Sequence, residues 1–500
     1  MFKRNFFYIT ALITGAAVMI IEILGAKLLA PYVGTSHFVW TSQIAVTLIA
    51  LTCGYYIGGK LVDRTPNPKV LYQALAVAGL YLIADVIICE RVAYYCLQFK
   101  LAIGSILASS ILFFIPLVCL AMTGPFLTRL LTLSVTEIGT AVGRLTAIGT
   151  LGSFLGTMLI GYIVIPLVPN TTTLLCTAGT LLCCSLLFFI TRLRNVLGFT
   201  VVMSVAIVTA WNVRQSNPNC NYVHNSPFGL MEVVTSKDGN RYYLNDNLIQ
   251  NVYDPIRKQS AAAFSYILES LAYSYNHKLT NALCIGLGIG SIPMEMAHKG
   301  ILVDVVEINP DVIPLAMKYF DFNTNACNLT IGDGRYYIRQ QTKQYDTIIL
   351  DAFLGDSMPS HLMTKEAFIE MAKRMQPAGT LVINAFVDPT QPEDCFGTSL
   401  YLTLKSVFPE VQMHSNGDGA TFFVASFQVI DRIQNVDLTS MHPNVIPSVK
   451  LALHRRIPYP IGQGIILTDN FNPIEFLDAS KRETRRQNLL WFRKIITKPS

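Results

Sequence analysis

Asn281-Ala282-Leu283-Cys284-Ile285-Gly286-Leu287-Gly288-Ile289-Gly290 decides the fold of the C-terminal half. Ala282–Ile285 reads as a buried strand, and glycine then takes every second position up to Gly290. Such a turn lets the backbone come close to a ligand and presents amides at the start of a helix. Gly286, Gly288 and Gly290 are therefore candidate ligand contacts. The motif alone is weak, because ligand-free strand-to-helix turns use glycine too. It gains weight from a second apolar strand, Val303–Glu307, which ends in an acid 21 residues beyond Gly286. A carboxylate there accepts hydrogen bonds from ribose hydroxyls.

Downstream, Gly332-Asp333-Gly334-Arg335 follows a third strand. An aspartate between glycines can accept from an adenine amino group while the backbone lies against the ring, which favours a nucleoside over a dinucleotide. Strand Thr347–Leu350 runs into Asp351. A carboxylate at the C-terminal end of a parallel strand points into the ligand crevice. Phe353–His361 reads as a lid over that crevice. Asp351 and Asp356 are candidates for a base and a cation-binding group, since an attacking amine must lose a proton. The alternation Ala282–Ile285, Pro293–His298, Val303–Glu307, Asp311–Tyr319, Thr347–Asp351, Lys365–Met375 and Thr380–Ala385 predicts a parallel sheet covered by helices. Val411–His414 and Thr421–Phe427 read as a closing antiparallel pair. Upstream, Leu230–Ser236 and Arg241–Asn245 flank Asp238-Gly239, a hairpin signal.

The N-terminal half is of another kind. Through Trp211 the chain carries 12 basic and 5 acidic residues; beyond it, 26 and 27. The net charge of +6 thus belongs to the first half, and the near-neutral second half offers no basic face for nucleic acid. Apolar runs at 6–30, 39–62, 69–89, 102–122, 145–167 and 171–191 have the length of membrane helices, and 196–212 is a shorter candidate for a seventh. Lys3 and Arg4 before the first run resemble a signal peptide, but the run is too long and several more follow, so a retained helix is expected. Lys3, Arg4, Lys60, Arg64, Arg192 and Arg194 predict an inner-membrane orientation that leaves the C-terminal half in the cytoplasm if six runs span, and outside if seven do. Gly152 and Gly156 have the spacing of a helix-packing face. For Glu22 and Asp85, pairing with Lys27 or Arg144 is the plain expectation. The basic tail Lys481–Lys498, around Leu489-Leu490-Trp491-Phe492, suits contact with anionic lipid. None of the 11 cysteines forms a C-x-x-C pair, so neither a metal site nor a disulfide framework is expected.

Residues 227–430 resemble the spermidine synthase (polyamine aminopropyltransferase) family, and the whole chain looks like bacterial fusions of such a domain to a multi-span membrane region. Shared features include Glu22-Ile23 through Pro31-Tyr32, Gly54-Tyr55-Tyr56-Ile57-Gly58-Gly59-Lys60-Leu61-Val62-Asp63-Arg64, and Leu467-Thr468-Asp469-Asn470 before Pro473-Ile474-Glu475. The resemblance implies a Rossmann-like methyltransferase sheet behind a small β-hairpin region. It implies decarboxylated S-adenosylmethionine as donor co-substrate and a small amine as acceptor. It assigns ribose binding to Glu307, the adenine loop to Asp333 and Gly334, the general base to Asp351, and a hairpin-region contact to Gln250. Cys284, where small-molecule methyltransferases carry an acid, favours the aminopropyltransferase branch. Departures fall on the amine side: Ile289 stands for an aspartate, Leu354 for a second acid that Asp356 could replace, and Phe264-Ser265-Tyr266 for a Tyr-Gln-Glu segment.

The expected organisation is a polytopic helical membrane domain at 1–212, a linker and hairpin region at 213–280, a Rossmann-like catalytic domain at 281–430 and an extension with a basic tail at 431–500. Three functions remain open: an aminopropyltransferase, a transferase or lyase using S-adenosylmethionine itself, and a transporter or sensor with a nucleoside-binding domain. A homodimer is among the assemblies left open.

Overall fold

A computed structural model describes residues 2–34, 36–132, 138–193, 220–276, 278–353, 355, 358–417, 419–429, 436–479, 481–484 and 486–488. The candidate seventh span, Asp356 and the last part of the tail lie outside them. The chain divides into two compact units, Met1–Asn217 with His224–Pro227, and Pro218–Val223 with Phe228–Ser500.

The first unit is helical. It contains α1 (Phe2–Val33), α2 (His37–Arg64), α3 (Pro68–Cys96), α4 (Leu101–Ala121), α5 (Thr123–Leu131), α6 (Ile138–Met158), α7 (Ile165–Leu167) and α8 (Asn170–Leu193). Among the described residues, 6 helical segments are long and apolar enough to cross a membrane. Asn67 starts α3, its side chain accepting from Lys69 N at 3.0 Å ahead of Pro68. Between α6 and α7 the backbone widens into a π-helix, Leu159–Val164, just before Pro166, which has no N–H to continue the ladder. The Gly152/Gly156 face packs on α1: a Cβ at Gly152 would lie 2.1 Å from Leu12 O, and one at Gly156 2.7 Å from Ala16 O. Only glycine permits backbones so close, and close approach supplies the dispersion that holds helices together in lipid.

The second unit contains two sheets. The hairpin expected at Asp238-Gly239 is present: β2 (Gly229–Thr235) pairs antiparallel with β3 (Arg241–Asn245). It is part of a larger, five-stranded sheet that begins with β1 (Cys220–Ser226) and adds β4 (Leu248–Asp254) and β5 (Gln259–Ser260) in sequential order. The β3–β4 turn places Asp246 at φ 48° and Asn247 at φ 63°. These are left-handed conformations that Asp and Asn tolerate and that two-residue hairpins require. That Asp-Asn pair was the readable signal for the extra strands.

The main sheet has eight strands in the order β13-β11-β12-β10-β9-β6-β7-β8. Its parallel part comprises β6 (Asn281–Ile285), β7 (Leu302–Glu307), β8 (Asn328–Ile331), β9 (Tyr345–Leu350) and β10 (Met375–Ala385). Then β12 (Thr421–Ser426) and β11 (Glu410–Ser415) close it antiparallel, as expected, and β13 (Arg456–Ile457) adds a short edge strand from the C-terminal extension. Apolar side chains fill both faces of this sheet. Leu283, Ile285, Ile348 and Leu350 sit in one core cluster, and Ala282, Cys284, Val305 and Ile349 in the other. Burial on both faces is why these strands read as continuous apolar runs.

Register positions the site. Ile285 stands opposite both Val306 and Leu350, Leu350 opposite Ile383, and Glu307 opposite Ile331. Glu307, Gly286, Asp351 and Asn384 therefore form one row across β7, β6, β9 and β10, at the carboxyl ends of the parallel strands. The direction of winding reverses at β6, the place where open α/β sheets bind ligands.

Candidate functional site

Above that row lies a cavity of about 870 Å³, whose wall includes Gly286, Gly288, Glu307, Asp333, Gly334, Asp351 and, from β4 of the smaller sheet, Gln250. Seven of the nine residues singled out from sequence thus line one space. Gly290 is not on the wall, and Asp356 lies outside the described residues.

Gly286 turns at φ 99°, and a Cβ there would lie 2.4 Å from the carbonyl oxygen of Asp351. No side chain fits without pushing the end of β9 aside. Gly288 has φ 56°, with Asn251 of β4 against it; Gly290 has φ 82° and abuts Phe322. Gly290 serves the turn by leaving room for Phe322.

Glu307 is 8% exposed and grips the glycine turn. Its Oε2 accepts from Leu287 N at 2.9 Å and its Oε1 from Asn309 N at 2.8 Å. Burial raises this carboxyl above its usual range, and the Asn309 and Leu287 amides pull the other way. Each oxygen keeps a lone pair with which it can accept from a ribose hydroxyl.

Asp333 caps the helix Gly334–Gln340, its Oδ1 accepting from Tyr336 N at 2.9 Å, while Oδ2 lies 2.8 Å from His361 Nε2. Partial burial works against ionisation here, yet the Tyr336 amide and His361 hold the carboxyl below the usual range. Next to it, Arg335 is 8% exposed and pinned from three sides. It donates to both oxygens of Asp469 at 2.7 and 2.6 Å, to Glu370 at 3.2 Å and to the His361 carbonyl at 3.0 Å. The C-terminal extension thereby fixes the adenine-loop candidate, a role for Asp469 that no local pattern announces.

Asp351 ends β9. Burial pushes its carboxyl up to about 6, opposed by a hydrogen bond from Asn384 Nδ2 to Oδ1 at 3.0 Å. That value suits a group that must take up a proton near neutrality. From the hairpin side, Gln250 Nε2 donates at 3.0 Å to the carbonyl of Gly355, tying β4 to the expected lid. Ile289, by contrast, is 1% exposed and packs in the core rather than on the cavity wall.

The far wall carries no motif in the sequence. Asp388, Glu393 and Lys481 line it, with Lys481 Nζ 2.6 Å from Asp394, which also caps the helix Cys395–Lys405. Burial opposes ionisation of Asp388, but Thr390, Gln391 and the charge of Lys481 hold its carboxyl low. The wall thus presents the carboxylates Glu307, Asp333, Asp351, Asp388 and Glu393 against the lysine Lys481. Its field favours a cationic ligand.

The spermine/spermidine synthase domain family matches residues 263–415, the stretch that carries this row of strand ends. Residues 263–415 are a spermine/spermidine synthase domain. A polyamine aminopropyltransferase from Vibrio vulnificus (strain CMCP6) is 38% identical over 130 residues, which is 25% of this chain and 44% of the relative. An N-terminal histidine N-methyltransferase from Emericella nidulans is 35% identical over 140 residues, 27% of this chain and 24% of the relative. The chain spans less than half the length of either. A solved spermidine synthase in complex with the transition-state analogue AdoDATO superposes with a TM-score of 0.35 at 18% identity, covering 42% of this chain and 73% of that one. The synthase domain begins at the helix Ala263–Tyr275, so the five-stranded sheet precedes it although Gln250 and Asn251 of that sheet line the cavity.

Proposed function

We propose that the synthase domain transfers an aminopropyl group from decarboxylated S-adenosylmethionine to a small amine. One observation carries this reading: Asp351, a carboxyl raised to about 6, shares a strand-end row with Gly286 and Glu307 in a cavity rich in carboxylates. In the reaction, Asp351 takes a proton from the acceptor ammonium. The freed amine attacks the methylene carbon next to the sulfonium, a C–N bond forms, and the C–S bond breaks with its electron pair returning to sulfur. The leaving group is already good, so holding the two reactants in line supplies most of the acceleration. Glu307 holds the ribose, Asp333 and Gly334 the adenine, and Gln250 steadies the lid. Asp356 is assigned to the acceptor's cationic end in place of the acid missing at Leu354. The helical unit tethers the domain to the membrane. The test is product formation by the full chain from decarboxylated S-adenosylmethionine with 1,4-diaminobutane and other diamines. No aminopropyl product from any of them would sink the proposal.

One observation favours a second reading, in which S-adenosylmethionine itself is the donor. Ile289 is buried in the core, so the glycine turn offers no acid to the donor's amino end, and a donor carboxylate would meet no repulsion there. The methyltransferase relative fits that reading. Consumption of S-adenosylmethionine without aminopropyl transfer would establish it.

A further inference from the structure

The strand-end row gives the cavity of the synthase domain two sides. Glu307 and Gly286, at the ends of β7 and β6, lie on one side of Asp351, and Asn384 of β10 lies on the other. An amine that attacks in line must lie across the reacting carbon from the sulfur. With the nucleoside over Gly286 and Glu307, the acceptor therefore extends over β10. The wall it meets there is built from the chain that follows β10, with Phe386, Asp388 and Glu393, and from Lys481 of the C-terminal extension.

Lys481 is held at this wall by its charged end. Its Nζ donates to Asp394 Oδ2 at 2.6 Å, and its side chain is 29% exposed, so it lies along the wall rather than out in solvent. Asp394 is 2% exposed, and its other donors are backbone amides. Oδ1 accepts from Gly397 N at 2.8 Å, and Oδ2 also accepts from Asp388 N. Among the described residues no other cation pairs with Asp394. Asp388 takes donors from its own turn, Thr390 and Gln391, and lies within reach of the Lys481 charge. Glu393 is exposed, so water screens what attraction it offers.

Two carboxylates joined through one amide and facing one ammonium make a corner that would hold the end of an aliphatic amine. A lysine side chain is that same chemistry, an ammonium on a four-carbon stem. Here the chain fills the corner itself. A ligand ammonium that reached it would have to displace Lys481 from a buried carboxylate or lie against a like charge, and both are costly.

We propose that Lys481 is a specificity-determining residue: its ammonium occupies the place at the far wall that a further ammonium of a long polyamine would take, so the acceptor is a short amine whose charge stays on the Asp351 side. That the ligand is an amine rests on the transferase reading; the test is one of binding and does not need turnover. Radiolabelled 1,4-diaminobutane and the longer triamine spermidine are dialysed to equilibrium against the full chain in lipid nanodiscs, with 5′-methylthioadenosine as an unreactive nucleoside. Lys481→Ala should shift the ratio of the two affinities toward spermidine by about tenfold or more, the order expected when a like charge is removed. Spermidine acetylated on a terminal nitrogen is as long but uncharged at that end, and it should not share the gain. An unchanged ratio in Lys481→Ala overturns the proposal, because Lys481 would then be only the brace of Asp394. An equal gain by the acetylated triamine overturns it too, because Lys481 would then merely fill space. If Lys481→Ala does not assemble with Asp394 left unbalanced, Lys481→Gln, whose amide can still donate to Asp394, is judged by the same ratio. A full chain that makes no aminopropyl product from any amine would sink the transferase reading, while the ratio would still show whether Lys481 fills an ammonium's place.

Discussion

Asn384 donates its side-chain amide to Asp351 Oδ1 at 3.0 Å, a contact set by the register of β10 on β9, where Ile383 stands opposite Leu350. Among the described residues no donor reaches the second oxygen of Asp351, which is left for the cavity. The pair is thus a base and the group that orients it.

Asp351→Asn should leave donor binding intact and lower turnover by about 10²–10⁴, the usual contribution of a general base. It should also stabilise the protein at pH 7. The raised folded value means that ionised Asp351 costs stability that the neutral form does not. That cost is absent below the unfolded value near 3.8 and grows as the pH rises to about 6. Replacing the carboxylate removes it, for a gain of about 1–3 kcal/mol. Denaturant unfolding of the full chain at pH 7 and at pH 4 checks this. The gain should vanish at pH 4.

The rate against pH should fall on the acid side with a midpoint near 6, because only ionised Asp351 accepts a proton. Asn384→Leu removes the hydrogen bond that favours the charged form, so the acid limb should move to higher pH. A profile whose midpoint does not move would mean that Asn384 does not tune the base.

Gly286→Ala should impair both folding and donor binding. The residue sits at φ 99°, and the added methyl meets the Asp351 carbonyl at 2.4 Å. Left-handed backbone and the collision together should cost about 1–3 kcal/mol. Gly239→Ala is the control: its φ of 85° is equally unfavourable, but nothing lies within 4 Å of its Cβ. It should lose some stability and keep its affinity for S-adenosylmethionine. The thermal shift produced by that ligand separates the two.

What was legible in the sequence was what has a local cause. Gly286 is needed for a backbone angle, Glu307 ends an apolar strand, and Asp351 ends another, so each carried its own signal. Asn384 did not, because an asparagine at a strand end is ordinary until the register of β10 sets it beside Asp351. Asp469 is 134 residues from the arginine it holds, and no periodicity spans that distance. The Asp246-Asn247 turn is a local signal, since both residues tolerate positive φ, and it marks the start of β4, the strand that brings Gln250 to the cavity. In the helical unit the apolar runs gave the spans, but which helices pack together depends on surfaces such as the Gly152/Gly156 face meeting Leu12 and Ala16.

Glu307 has two duties that a pair of substitutions can divide. It accepts from the Leu287 and Asn309 amides, which shapes the glycine turn, and it is assigned to the ribose. Glu307→Gln keeps the size but offers a single acceptor oxygen, so one of the two amides is left facing an NH₂ group. A buried donor without a partner costs about 1–3 kcal/mol, and this variant should lose stability by that order. Glu307→Ala leaves both amides unpaired, opens space that water can enter, and removes the ribose acceptor altogether. Its affinity for S-adenosylmethionine should fall by about 1–3 kcal/mol, roughly ten- to a hundredfold, measured by calorimetry on the full chain. A purely structural Glu307 would lower the melting temperature of both variants while the ligand still raised each by the wild-type amount. Loss of that ligand-induced rise in Glu307→Ala is the result expected if the carboxylate touches the ribose. Retention of the full rise would take Glu307 out of the binding site and leave it as the brace of the turn.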